Sequence, residues 1–175
     1  FVLLLAATTL QAQPIEWPVT EGGNGHYYEM VADPNGSSWD TAYQLALDMS
    51  YVGMPGHLVT ITSLEENTFC YQSFGEYGGW AGGYQPFGSI EPAGSWRWIT
   101  EEPWIFDAFW GAEPNDCCTL APDEENFLRV WFSGGGWNDS DGSGCSGNCN
   151  FVVEYEPGVV ENREVTFGVL KDSYK

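Results

Sequence analysis

Positive charge is what this sequence has least of: five Lys and Arg stand against 25 Asp and Glu, for a formal net charge of −20. Three of the five bases, Arg163, Lys171 and Lys175, fall near the C-terminal end, which leaves Arg97 and Arg129 for the body of the chain. That deficit argues against nucleic acid as a partner, because displacing counterions from phosphates takes a basic face. Attraction to anionic membranes is disfavoured on the same ground. Long apolar runs are also lacking. The most apolar stretch, FVLLLAATTLQA at residues 1–12, is shorter than the roughly 20 residues of a membrane-crossing helix, so no membrane insertion is expected. It matches the later part of a secretory signal peptide, an apolar core ending in small residues, and a secreted, extracellular protein is expected. No internal repeat and no serine or cysteine nucleophile motif is evident.

What is present is aromatic. Nine Trp and an aromatic content of 16 % in 175 residues suit one well-buried domain rather than two large ones. Residues 25–31 have the aromatic and β-branched content of a strand, followed by a turn at Asp33-Pro34-Asn35-Gly36. Ser37 or Ser38 then caps a helix whose Trp39, Ala42, Leu45, Ala46 and Met49 recur at spacings of three and four, with Gly53 and Pro55 to stop it. Residues 57–61 form a short strand. Thr62 or Ser63 starts a second helix over about 65–74, with Glu65 or Glu66 completing a capping box. From Gly75 onward Gly, Trp and Pro are dense and periodicity is short, as at 96–99 and 127–131, so long loops are expected. Loops of this length tend to be functional, and a bound ion is one way to offset their ordering entropy. Residues 151–155 alternate as a closing strand.

Within the loop region Glu113-Pro114-Asn115 and Trp137-Asn138-Asp139 each join carboxylate to carboxamide, with Glu124-Glu125-Asn126 between them. Oxygen-only sets of this kind suit Ca²⁺, which accepts six to eight oxygens from mixed carboxylate, amide and water shells. The bland alternative is turn chemistry, since Asn and Asp favour loops without any ligand.

Taken in order, these residues resemble a C-type lectin domain. The resemblance covers roughly residues 25–156 and runs through Trp39-Asp40-Thr41-Ala42, Gly56-His57-Leu58-Val59-Thr60-Ile61, Trp80-Ala81-Gly82-Gly83, Trp96-Arg97-Trp98, Trp110, Glu113-Pro114-Asn115, Glu125-Asn126, Trp137-Asn138-Asp139 and 151–155. It implies an α+β, C-type lectin-like fold with two helices, small antiparallel sheets and a long calcium-binding loop region. Residues 13–24 would be a lead-in and 157–175 a last strand or linker. It also implies that Glu113, Asn115, Glu125, Asn138 and Asp139 hold a Ca²⁺ cofactor and bind the sugar, with Pro114 cis and Glu124 the substitute for Glu125. The Glu-Pro-Asn order goes with mannose, glucose, N-acetylglucosamine or fucose-type sugars. The expected function is a calcium-dependent, non-enzymatic lectin, and an oligomer or multidomain context would supply avidity. The alternative is an adhesion or protein-binding module with calcium structural or absent.

The sequence also departs from the family. The usual bridge from first helix to last strand is missing, since Leu47, Asp48, Met49 and Val153 occupy those places. Cys117, Cys118, Cys145 and Cys149 would bridge across the loops, leaving Cys70 unpaired, with the connectivity open. The same four thiols offer a rival zinc site. Asp116 could serve a second calcium, although a carboxylate is lacking near Gln85. An enzyme alternative would use paired carboxylates, such as Glu101-Glu102 with Glu113, as acid and nucleophile in glycoside hydrolysis. His26 and His57 are expected to be core or surface residues, and Trp104, Phe106, Phe109 and Trp110 to build core more than to stack on sugars. Asn35 and Asn138 both fit the glycosylation pattern, and a functional site requires Asn138 to be unmodified.

Overall fold

A computed structural model of the chain describes residues 13–33, 35–75, 78–117, 125–130, 134–144 and 149–158. The expected signal segment, Glu124, Cys118, Cys145 and residues 159–175 lie outside the described residues. In chain order the elements are β1 (Ile15–Glu16), β2 (Tyr27–Val31), α1 (Trp39–Asp48), β3 (Ser50–Tyr51), β4 (Met54–Leu58), α2 (Leu64–Phe74), β5 (Gly79–Tyr84), β6 (Arg97–Trp98), β7 (Phe127–Val130), β8 (Trp137–Ser140) and β9 (Asn150–Tyr155). Two helices with a mixed sheet make an α+β fold.

Both helices begin where hydroxyls meet orphan amides. The Ser38 hydroxyl accepts from Thr41 N at 3.3 Å, and the Ser63 hydroxyl accepts from Glu66 N at 3.1 Å. The Glu66 carboxylate reaches back to Thr62 N at 2.7 Å, which closes the second cap reciprocally. α1 buries Trp39, Ala42, Tyr43 and Ala46. Leu45, expected in that stripe, is 43 % exposed, because a residue six positions after Trp39 is turned away from the face that three, four and seven positions share. The helix ends at Asp48, where Met49 turns extended, so neither Gly53 nor Pro55 stops it.

β9 is the hub of the sheet. One edge pairs antiparallel with β2; the other pairs parallel with β5 through Asn150 and Phe151 and antiparallel with β4 through Val153 to Tyr155. From β5 the sheet continues to β7 and then β8, while β1 lies outside β2 and pairs with it inside the expected lead-in. Strand alternation splits the core into two layers. Phe151, Val153 and Tyr155 pack with Trp39, Tyr43 and the rest of the α1 face, whereas Val152 points oppositely, into a cluster with Tyr28, Trp98, Leu128 and Trp137.

Three expectations change here. The strand expected over 57–61 is β4, three residues earlier, because its pairing with β9 and with β3 fixes Met54–Leu58. The Trp80-Ala81-Gly82-Gly83 run, expected as loop, is the interior of β5; its glycines fit because an added Cβ at Gly83 would meet Leu128 Cδ2 at 2.8 Å. Trp137–Ser140 is likewise strand rather than loop, paired to β7 from Val130↔Trp137 to Phe127↔Ser140.

Trp39 fastens α1 to this sheet. Its indole N–H donates to Ala81 O at 2.7 Å, and its ring lies 5.4 Å from Tyr43 and 4.8 Å from Phe127 between centroids. Trp39→Ala therefore removes packing and leaves a buried carbonyl without that donor, and the expected loss is about 3–5 kcal/mol, measured by urea unfolding; a loss below about 1 kcal/mol would contradict this role for the indole.

Candidate functional site

The site grows from β8. Side chains alternate there, so Trp137 and Asp139 are buried while Asn138 and Ser140 are partly exposed. Trp137 is held three ways. Its indole donates to Asn67 Oδ1 on α2 at 2.9 Å, its N–H donates to Ala108 O at 2.9 Å, and its carbonyl accepts from Trp110 N at 3.0 Å. The segment around 104–110 is thereby laid along β8, where Trp104, Phe106 and Phe109 pack edge-on against the Trp137 ring. These three build core as expected, and Trp110 is 56 % exposed. Glu113 N then turns back onto Trp110 O at 3.0 Å.

That turn delivers the acid and amide pair to Asp139. The Glu113–Pro114 peptide bond is cis. Asp139 is fully buried, and its Oδ2 accepts from Asn115 N at 2.9 Å and from Asp116 N at 2.7 Å. Asn115 Oδ1 and Glu125 Oε2 both accept from Cys117 N at 2.8 Å, and Glu125 N donates to Asp116 Oδ1 at 3.1 Å. Glu113, Asn115, Glu125 and Asp139 thus meet at one point of the surface. Asn138, next along β8, places its carboxamide against the Asp139 carbonyl. Glu125 lies here, and Glu124, its substitute, is outside the described residues.

The electrostatics of this cluster are unfavourable as they stand. Glu113 Oε2 and Asp139 Oδ1 are buried acceptors without a hydrogen-bond partner among the described residues. Burial, with the Asp139 carboxyl alongside, holds the Glu113 carboxyl above its usual range. Burial and the charges of Asp139, Asp116 and Glu113 push Glu125 up to about 7, against the pull of the Cys117 N–H. A divalent cation among these oxygens would satisfy the orphaned acceptors and relieve the repulsion, so the donor set fits Ca²⁺.

The other expectations sort clearly. Asp116 binds Glu125 N and ties the two arms of the site together, a role that its place directly after Asn115 signals. Cys117 and Cys149 each stand in a disulfide and Cys70 is a free, buried thiol, so the thiolate zinc site is corrected: two of its four sulfurs are not available as thiolates. Glu102 hydrogen-bonds Thr100 and feels the charges of Glu154, Glu156 and His57, whereas Glu113 lies beside Asp139; the two belong to separate groups. No helix among the described residues is long and apolar enough to cross a membrane.

No family profile matches the chain. Halomucin of Haloquadratum walsbyi is 32 % identical over 147 residues, which is 75 % of this chain and 1 % of that protein; the chain therefore spans about one hundredth of the length of this relative. The C-type lectin domain of murine dendritic cell inhibitory receptor 2, solved in complex with N-glycan, superposes with a TM-score of 0.56 at 25 % identity, covering 74 % of this chain and 89 % of that one. A calcium-independent type II antifreeze protein superposes with a TM-score of 0.53 at 20 % identity, covering 73 % and 85 %.

If Glu113 and Asp139 repel, then in chelator at neutral pH Glu113→Gln should melt at a higher temperature than the wild-type chain. An unchanged or lower melting temperature by scanning calorimetry would show that the pair carries no repulsion. The sheet order, the two capped helices and the likeness to these structures establish that the chain has the C-type lectin-like fold.

Proposed function

We propose that the chain is a secreted, calcium-dependent carbohydrate-binding domain for mannose, glucose, N-acetylglucosamine or fucose-type sugars, without a catalytic step. The observation that carries this is the pair of orphaned buried acceptors, Glu113 Oε2 and Asp139 Oδ1, set among amide and carboxylate oxygens. Glu113, Asn115, Glu125, Asn138 and Asp139 would hold the ion. A bound Ca²⁺ would offer coordination positions to two adjacent sugar hydroxyls. Glu113 and Glu125 would accept hydrogen bonds from those hydroxyls, and the Asn115 and Asn138 amides would donate to them, so the order of acid and amide selects which hydroxyl pair fits. The N-glycan on the murine neighbour supports a sugar as ligand. Single sites of this type bind weakly, and repetition within a longer protein would supply avidity.

A protein-binding or adhesion module that does without calcium is the second reading. It draws on the calcium-independent neighbour and on exposed Phe87, Ile90, Ile105 and Trp110.

Retention on immobilised mannose in Ca²⁺ with release by chelator is the expected behaviour, and Asn138→Asp or Glu113→Gln should weaken retention by about tenfold or more, as expected when an ion loses a ligand. Converting Glu113 to Gln and Asn115 to Asp together should move preference toward galactose. Retention indifferent to chelator would favour the second reading, and sugar affinity unchanged in both single variants would remove these residues from the site.

A further inference from the structure

A second group of ligating side chains lies on the sheet. Strand register brings it together: in the central three strands Tyr28 of β2 and His57 of β4 both stand opposite Glu154 of β9. Since side chains alternate, His26 and Glu156, two positions along from Tyr28 and Glu154, share that face. One ligand atom each from His26, Glu154 and Glu156 lies within 4.8 Å of the others.

The ring nitrogens are already sorted. His26 Nδ1 sits 2.6 Å from Glu154 Oε1, and Glu154 is itself fixed by Thr60 N, which donates to its Oε2 at 3.0 Å. His57 Nδ1 sits 2.9 Å from Leu58 O, which can only accept, so that nitrogen carries a proton and Nε2 is the one a metal could take. A metal-binding histidine is held in this way, with its far nitrogen on a carboxylate or a backbone carbonyl. Both Nε2 atoms then face the same carboxylate: His26 Nε2 is 3.6 Å from Glu156 Oε2, and His57 Nε2 is 3.5 Å from Glu156 Oε1. These separations are long for hydrogen bonds. Ligand atoms bonded at about 2.0–2.1 Å to one tetrahedral ion stand roughly 3.3–3.5 Å apart, so small side-chain shifts would bring either pair onto an ion.

The independent sign of a missing partner is His57. The residue is 9 % exposed, and its Nε2 is buried without a hydrogen bond among the described residues. Burial lowers the pKa of this ring, but Glu156 and Glu154 raise it to about 9, so a metal ion would bind there in place of the Nε2 proton. The surroundings favour positive charge: Glu154 and Glu156 are joined by Glu66, whose Oε1 accepts from the Tyr28 hydroxyl at 2.6 Å while that hydroxyl lies 3.3 Å from Glu154 Oε1. His26 and Glu156 keep side-chain exposures of 22 % and 15 %, which provides a way in.

We propose that His26 Nε2, His57 Nε2 and the Glu156 carboxylate bind a divalent transition-metal ion of the zinc class, with Glu154 and the Leu58 carbonyl orienting the two rings. Two imidazoles with one carboxylate suit zinc far better than calcium, which prefers oxygen throughout. A fourth position would be left to water. The ion would cross-link the approach to β2, the body of β4 and the end of β9, far in chemistry from the oxygen set at Glu113 and Asp139.

Titration of the chelator-stripped full chain with Zn²⁺ in excess Ca²⁺ is the test, followed by calorimetry. One equivalent should bind. Glu156→Gln and His57→Gln should each weaken it at least about tenfold, and Glu154→Gln by about 10–100-fold through loss of ring orientation. Co²⁺ in place of Zn²⁺ should give the visible absorption of a tetrahedral site. Mannose retention should be unchanged in Glu156→Gln, which separates this site from the calcium reading. No stoichiometric zinc uptake by the wild-type chain overturns the proposal, as does uptake that Glu156→Gln leaves intact or that Glu113→Gln abolishes. If His57→Gln fails to fold, His26→Gln at the more exposed ring carries the same prediction.

Discussion

The period of two in β8 is the constraint from which the loop region follows. With Trp137 and Asp139 turned inward and Asn138 outward, one strand of four residues performs two tasks. Trp137 anchors to Asn67 of α2 and to the backbone of Ala108 and Trp110, which fixes a long segment without regular structure. Asp139, two residues on, accepts the amides of Asn115 and Asp116 and so sets where that segment ends. A slip of one residue in the pairing with β7 would put Asn138 inside and both Trp137 and Asp139 outside. Phe127↔Ser140 and Gly142 guard against it: at Gly142 φ is +74°, an added Cβ would lie 2.4 Å from the Phe127 ring, and its carbonyl accepts from Trp39 N at 2.9 Å.

The cost of this arrangement is local charge. Asp139 is buried with two N–H donors on one oxygen and none among the described residues on the other, and Glu113 comes to rest against it. A bound cation or a proton on one of the raised carboxyls would offset that charge, and the chain has almost no bases to spare. Its described arginine in this region, Arg129, lies over the Trp80 ring at 5.0 Å. Scarcity of Lys and Arg and the clustering of oxygen donors are therefore two sides of one argument for a cation. The same reasoning extends to β9, where Glu154 and Glu156 meet two imidazoles and no Lys or Arg in the contacts described.

Much of this was legible in the sequence where a side chain announces its own job. Ser38, Ser63 and Glu66 cap helices because hydroxyl and carboxylate at those spacings do so anywhere, and 151–155 reads as strand from alternation alone. Glu113, Asn115 and Asp139 were visible as an oxygen set. What stayed hidden depends on partners remote in the chain. The Gly-rich run of β5 becomes a strand only because β7 and β9 flank it and Leu128 needs the space. Leu45 fits a loose count of threes and fours, but the buried stripe of α1 runs through Tyr43 and leaves Leu45 outside. His26 and His57 looked unremarkable because strand register, which no local pattern encodes, is what sets them on either side of Glu156.

On the proposed reading, acid and amide oxygens from the 113–116 turn, from Glu125 and from β8 form one calcium and sugar site. A crystal structure grown with Ca²⁺ and mannose tests it most directly, through the list of atoms bonded to the ion. Glu113, Asn115, Glu125, Asn138 and Asp139 should stand in that list together with two sugar hydroxyls, all at about 2.3–2.6 Å. An ion coordinated elsewhere, or a sugar bound with no ion at Glu113 and Asp139, would contradict it.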